Sequence, residues 1–179
     1  MSSDSSSGGG IVRGGASSAS EVDDMRAFRR RWTIGVAIVT IAVDGGFRGV
    51  TVSGLMPLAL EPPSIAIALQ ADSMFQHWLV PGRRIGISIL DRQMEFLSER
   101  FAGRAPVPDG AFTGITHRVV DEVPLLVGAL AWCVAEVSRV QAEGDHILVT
   151  AIATSFEIPA DSDEPMVLYQ GRYRGLEGT

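Results

Sequence analysis

"GVTVSGLMPLALEPPSIAIAL", Gly49 to Leu69, is the stretch on which the fold turns. Its two ends are β-branched and apolar and read as strands, one closing "FRGVTVSG" and the other forming "SIAIALQ", Ser64 to Gln70. Between them stand the small residues Ser53 and Gly54, then Pro57, then the pair Pro62 and Pro63. From Thr51 to Leu58 this spacing predicts an irregular connection. Such a segment leaves backbone N–H groups to meet a ligand rich in acceptors, or it is only a long bend between strands. Spacing alone does not separate the two.

Working outward, "SEVDDMRAFRRRW" reads as a helix capped by Ser20, with acids in its first turn and Met25, Phe28 and Trp32 on one apolar stripe. Arg29, Arg30 and Arg31 read as its solvated face. "TIGVAIVTIAV" and "FRGVTVSG", joined through "DGG", predict a hairpin. Downstream come a short helix in "DSMFQHWLV" capped by Asp72 or Ser73, a strand "RIGISIL", and a helix "RQMEFLSERFAG". The last presents Met94, Leu97 and Phe101 on one face and stops at Gly103. A Pro- and Gly-rich loop from Arg104 to Gly114 leads to two long strands, "GALAWCVAEVSRV" and "HILVTAIATSFEI". A polar break and one closing strand, "PMVLYQGRY", complete the chain. Strands outnumber helices, most connections are short, and strand and helix do not alternate. The expectation is a mainly β fold: a closed or partly closed barrel of antiparallel strands flanked by a few helices.

The chain has 179 residues, 46% apolar and 20% charged, which suits one globular domain. Residues 1–20 are rich in Ser and Gly and read as a flexible tail, leaving 21–179 as the folded domain. A formal net charge of −6 argues against nucleic acid or an anionic membrane surface as partner. No segment approaches the roughly 20 apolar residues of a membrane span. A single cysteine, Cys133, in an apolar run reads as a buried core residue, excludes an internal disulfide and points to the cytoplasm. Neither common glycine-rich nucleotide loop occurs. His77, His117 and His146 lack metal-ligand spacing, so no metal is assigned.

The block from Gly49 to Pro63, G-V-T-V-S-G-L-M-P-L-A-L-E-P-P, resembles the flavin-binding segment of the short-chain flavin reductase family, usually close to G-[MV]-T-A-[SN]-[SA]-F-[TCS]-S-V-S-x-[DE]-P-P. Further similarities follow in order: "GRRIGISILDRQMEFLSERFAG" with its Gln and F-A-G, "VPLLVGALAWCVAEV", the turn Gly144-Asp145-His146, and "PMVLYQGRYRGL". The resemblance runs from about Phe28 to Leu176. It implies the FMN-binding split-barrel fold, antiparallel and Greek-key-like. It also implies a homodimer that transfers a hydride from NADH or NADPH to FMN or FAD and supplies reduced flavin to a monooxygenase.

On that resemblance the candidate flavin contacts are Thr51, Val52, Ser53, Gly54, Leu55, Met56 and Pro57, with Gln70 and Phe101 beside them. The residues themselves agree. An isoalloxazine needs an apolar slot plus hydrogen-bond partners, which the Thr51–Gly54 backbone and hydroxyls offer. A phosphate needs N–H groups of the kind found where the helix at Asp72 and Ser73 begins. His146 is implied to position or polarise the nicotinamide carboxamide and Asp145 to fix the turn or orient the ring. Without the resemblance, His146 would read as a strand-start residue with a local hydrogen bond. His117 and Tyr173 are set at the border of the site, with a loop role and a structural strand as their plain alternatives.

Several positions depart from the family's pattern. Met56 and Pro57 replace hydroxyl residues, and neither side chain can donate a hydrogen bond. Ala71 stands where a Lys or Arg often serves the phosphate, and Asp72 adds a negative charge. Arg48, Arg83, Arg84 and Arg104 are the available substitutes. A split-barrel protein that binds flavin or haem without reductase activity, or one that uses bound flavin on another substrate, is the alternative reading.

Overall fold

The computed structural model of the chain describes residues 17–105, 112–159 and 164–176. Helix α1 (Ala19–Arg31) is capped two residues earlier than expected: Ser18, not Ser20, is the N-cap, in a reciprocal box with Glu21. The Ser18 side chain accepts from the Glu21 amide at 3.3 Å, and the Glu21 carboxylate accepts from the Ser18 amide at 2.7 Å. The Ser18 amide, and with it the Ser18 hydroxyl donating at 2.9 Å, holds the Glu21 carboxyl below the usual carboxylate range. Ser18 to Ser20 thus belong to the helix and its cap, and residues 1–16 of the expected tail lie outside the described residues. The stripe of Met25, Phe28 and Trp32 exists, but all three side chains are exposed, because α1 buries none of its residues against the body of this chain.

Strand β1 (Ile34–Gly35) leads into β2 (Ala37–Val43) and, across a turn, β3 (Gly46–Val52). Strand β4 (Gly54–Leu60) follows after the single residue Ser53 and pairs with β5 (Pro63–Gln70). The expected irregular connection is thus itself a strand. Pro57 is tolerated because β4 is an edge and the ladder slips between Pro57 and Ala59. The short helix after Ser73 is a five-residue 3-10 segment, Met74–Trp78, capped by Ser73 and not Asp72. It sinks Phe75 and leaves Met74 exposed. Strand β6 (Arg84–Ile89) precedes a 3-10 turn and α2 (Glu95–Phe101). Met94, Leu97 and Phe101 pack into one cluster as expected, and Gly103 takes a positive φ of 72° just past the helix. Then come the hairpin β7 (His117–Val120) and β8 (Val123–Leu126), and the long strands β9 (Ala131–Glu143) and β10 (His146–Glu157). The closing segment is a hairpin, not one strand: β11 (Val167–Tyr169) and β12 (Arg172–Arg174).

Seven strands form one antiparallel sheet in the order β3-β2-β6-β9-β10-β5-β4. Its outermost members, β3 and β4, are consecutive in the chain and separated only by Ser53. A sheet whose two edges are joined by one residue must curl back on itself, so it forms a barrel split along the β3–β4 seam. Inward-facing residues alternate along the long strands: Val137, Ala135 and Cys133 on β9, and Ile147, Val149, Ala151 and Ala153 on β10. Strand β2 is buried on both sides, which explains why "VAIVTI" shows no alternation. Val39 and Ile41 face the barrel interior, while Ile38 packs outward under Phe101, Leu126 and Met166.

Candidate functional site

A cavity of about 960 Å³ opens along the split. Its floor is the run Gly49–Gly54 with Ala68, Leu69 and Gln70 at the end of β5. Ser73, Met74, Phe75 and Trp78 make one wall, and Phe101, Ala102, Gly103 and Arg104 another. His146 starts β10 directly opposite Gln70 in the ladder, so the antiparallel register brings it to the rim. The end of α1 contributes Arg29, Arg30 and Trp32, and the turn of the closing hairpin contributes Gln170 and Gly171. The turn and helix are linked by a bond from the Gln170 amide to the Arg30 carbonyl at 3.1 Å.

Two glycines shape the floor. A Cβ at Gly49 would lie 2.6 Å from the Phe101 ring, and one at Gly54 would lie 2.9 Å from Ala68 Cβ and 3.0 Å from its carbonyl oxygen. Only residues without a side chain allow α2 to rest on β3 and β4 to close onto β5 there. Thr51 is committed differently from the expectation: its hydroxyl donates to the Ser98 carbonyl at 2.7 Å, leaving only its lone pairs for a ligand. The Ser53 hydroxyl has no partner among the described residues.

The polar rim near α2 is a compact network. Ser98, fully buried, donates through its hydroxyl to the Tyr173 oxygen at 2.8 Å. Arg104 donates from Nη2 to the same oxygen at 2.8 Å and forks onto Glu99 through Nε and Nη2, both at 2.7 Å. The Arg104 guanidinium, and secondarily the Tyr173 hydroxyl, holds the Glu99 carboxyl below its usual range. Burial raises the Tyr173 phenol. At the start of β10, His146 Nδ1 lies 2.7 Å from the Asp145 carboxylate, and this contact depresses the Asp145 carboxyl. An acceptor-only carboxylate places the ring proton on Nδ1, which leaves Nε2 as the acceptor of a neutral imidazole. Arg29 adds a weak coulombic pull on Asp145 in the same direction.

The structure therefore brings together Thr51, Val52, Ser53, Gly54, Gln70, Ser73, Phe101 and His146. It leaves others outside the lining. Leu55 packs toward the barrel core, while Met56 and Pro57 lie exposed on β4. Asp72 is exposed, and Asp145 supports His146 from outside the cavity. His117 packs edge-on against Phe47 and Phe112, with Nδ1 2.7 Å from the Ile115 carbonyl. Tyr173 stands behind Arg104. Sequence reasoning missed Arg29, Arg30, Trp32 and the Gln170–Gly171 turn. Arg29 and Arg30 were expected on a solvated face, and the signal available was only that their helix ends two residues before β1. Of the four candidate phosphate cations, Arg48 and Arg104 line this cavity, whereas Arg83 and Arg84 flank a smaller one elsewhere. Among the described residues, no cluster of three His, Cys, Asp or Glu could hold a metal, and no helix is long and apolar enough to cross a membrane.

A barrel split along one seam, with a glycine-floored cavity in the split, defines a class of flavin-handling proteins, and comparison with known proteins agrees. Residues 29–177 match the family described as "Flavin reductase like domain", and the chain belongs to that family. It is 28% identical over 159 residues to the NADH-dependent flavin reductase StyB of Pseudomonas fluorescens, covering 85% of this chain and 90% of that protein. It is 31% identical over 150 residues to an NADH-dependent flavin reductase of a Rhodococcus species, covering 82% of each. Among solved structures, a nitrilotriacetate monooxygenase component B homolog from Mycobacterium thermoresistibile superposes with a TM-score of 0.78 at 29% identity, covering 88% of this chain and 89% of that one.

Proposed function

We propose that this chain is an NADH-dependent flavin reductase that reduces FMN or FAD and releases the product to a separate monooxygenase. The observation that carries the reading is the convergence of the Thr51–Gly54 floor, Gln70, Phe101 and His146 on one cavity. The fit is supported by the Ser53 hydroxyl and the main-chain groups of the Thr51–Gly54 floor as polar partners. The chemistry that flavin supplies there is acceptance of a hydride from reduced nicotinamide. The chain's own part is to hold two rings face to face and keep the reacting face dry, so no general acid or base is demanded. His146, with its proton fixed on Nδ1 by Asp145, offers Nε2 to a carboxamide N–H and so orients the nicotinamide.

A homodimer is part of the proposal. Strand β4 exposes Met56, Leu58 and Leu60, and α1 exposes Met25, Phe28 and Trp32. Apolar surface on that scale, on an edge strand and an unpacked helix, suits a second copy of the chain. A cytoplasmic setting is supported by the single buried thiol. The test is loss of absorbance at 340 nm from NADH or NADPH on adding FMN or FAD. Turnover with NADH and flavin alone is expected. Flavin binding without turnover would overturn the reductase reading in favour of a non-catalytic flavin protein, and turnover only with a third substrate would favour an enzyme that retains its flavin.

A further inference from the structure

Four guanidinium groups line the cavity, from Arg29, Arg30, Arg48 and Arg104, on a chain whose formal net charge is −6. All 15 of its basic residues are arginine, so any cationic recognition of an anion uses a planar fork. The four are not equivalent. Arg29 sits in the field of Asp145, at the His146 end. Arg30 lies in the last turn of α1. Arg48 turns back to donate to the carbonyl of its own neighbour, Phe47, at 2.9 Å. Arg104 alone among the four is fixed by side chains from two different elements, Glu99 on α2 and Tyr173 on β12. Its backbone is held as well, by the bond from its amide to the Glu99 carbonyl at 2.9 Å.

We infer that Arg104 binds the phosphate of the incoming flavin, and that Glu99 and Tyr173 are positioning residues that hold its guanidinium for that purpose. The inference rests on the flavin reading above and goes beyond it by choosing the anion site. Position 71, next to the Ser73 turn, carries alanine, so the wall formed by that turn has no cation of its own, and the α2 wall supplies one. Nε and Nη2 are engaged with Glu99 and Tyr173, while Nη1 has no partner among the described residues and keeps two donors for an anion. A guanidinium already locked loses little rotamer entropy when it meets a phosphate. Glu99 offsets much of its charge, so the contact gives direction more than strength. That balance suits a flavin that must leave after reduction.

The experiment measures equilibrium binding of FMN and of riboflavin, which lacks the phosphate, by flavin fluorescence on the full chain. Wild type is expected to bind FMN more tightly than riboflavin. Arg104→Gln should weaken FMN about ten-fold and leave riboflavin unchanged, the size expected for one charge-assisted contact. Arg104→Lys and Tyr173→Phe should each shrink the FMN preference by a smaller factor. Arg83→Gln, on the other cavity, should shrink it not at all. Equal weakening of both flavins in Arg104→Gln, or an unchanged FMN preference in both Arg104 variants, would overturn the assignment. Equal affinity of wild type for the two flavins would also overturn it, with the flavin reading intact. Binding of neither flavin by wild type would overturn the flavin reading itself.

Discussion

His146 and Thr51 show what one side chain contributes to this site. His146 reaches the rim because β10 begins with it, and Asp145 fixes which ring nitrogen carries the proton. On the proposed reading, its replacement by alanine removes an orienting partner for the nicotinamide and nothing from the Thr51–Gly54 floor. The expected outcome for His146→Ala is a fall in turnover with NADH of about ten-fold or more, the scale of losing an orienting contact. Flavin affinity should stay within about two-fold, because the proposed anion contact is made by Arg104 and not by His146. Stopped-flow reduction and fluorescence titration give the two numbers, and unchanged reduction would remove His146 from the mechanism. Thr51 was legible as a site residue from its place in "GVTVSG", but the use of its hydroxyl was not. The Ser98 carbonyl that takes the Thr51 proton is 47 residues away in the chain. Nothing local predicts such a bond.

At the scale of elements, the predicted strands and two of the three predicted helices exist, the third appearing as a short 3-10 segment, since alternation and turn residues signal them locally. The errors fall where pairing decides. "GLMPLAL" carries a proline and lacks alternation, yet it is a strand because β5 offers it a partner and its outer edge tolerates Pro57. The closing "VLYQGRY" divides into two strands because Gln170 and Gly171 take positive φ, at 52° and 75°, and turn the chain back. The hairpin of β7 and β8 is fastened to the barrel by buried hydroxyls that sequence does not announce. Thr40 bonds to the carbonyl of Pro124 at 2.5 Å, and the Leu126 amide donates to Ser88 Oγ at 3.1 Å. Thr40→Val keeps the shape and strands a buried carbonyl, so it should cost about 1–3 kcal/mol. A chemical denaturation midpoint unchanged from wild type would show that the tether is dispensable.

The whole molecule is a barrel whose two free edges meet at the seam that houses the cavity, and whose outer apolar residues have no cover from this chain. The proposed dimer would supply that cover. Wild type should sediment at twice the 19.1 kDa of one chain. Placing a charge on the exposed edge with Leu60→Asp should shift it toward the single-chain mass, because an unpaired carboxylate in an apolar contact is strongly disfavoured. A wild type that stays monomeric at micromolar concentration would refute the dimer. The mainly β class and the barrel were legible from strand count and short connections, whereas the location of the seam follows only from the complete strand order.

Cys133 has a bearing on durability. Reduced flavin set loose in air generates hydrogen peroxide, and an enzyme of this kind works in the oxidant it helps to produce. Its one sulfhydryl lies among barrel residues, and burial pushes that thiol up to about 11. At neutral pH almost none of it is thiolate, the form that peroxide attacks. The oxidative burden falls instead on the thioethers at the surface, Met25, Met56 and Met74. Met74 lines the opening, Met56 lies on the outer strand and Met25 on α1, so wear would begin at the surface of the molecule while its centre stays intact.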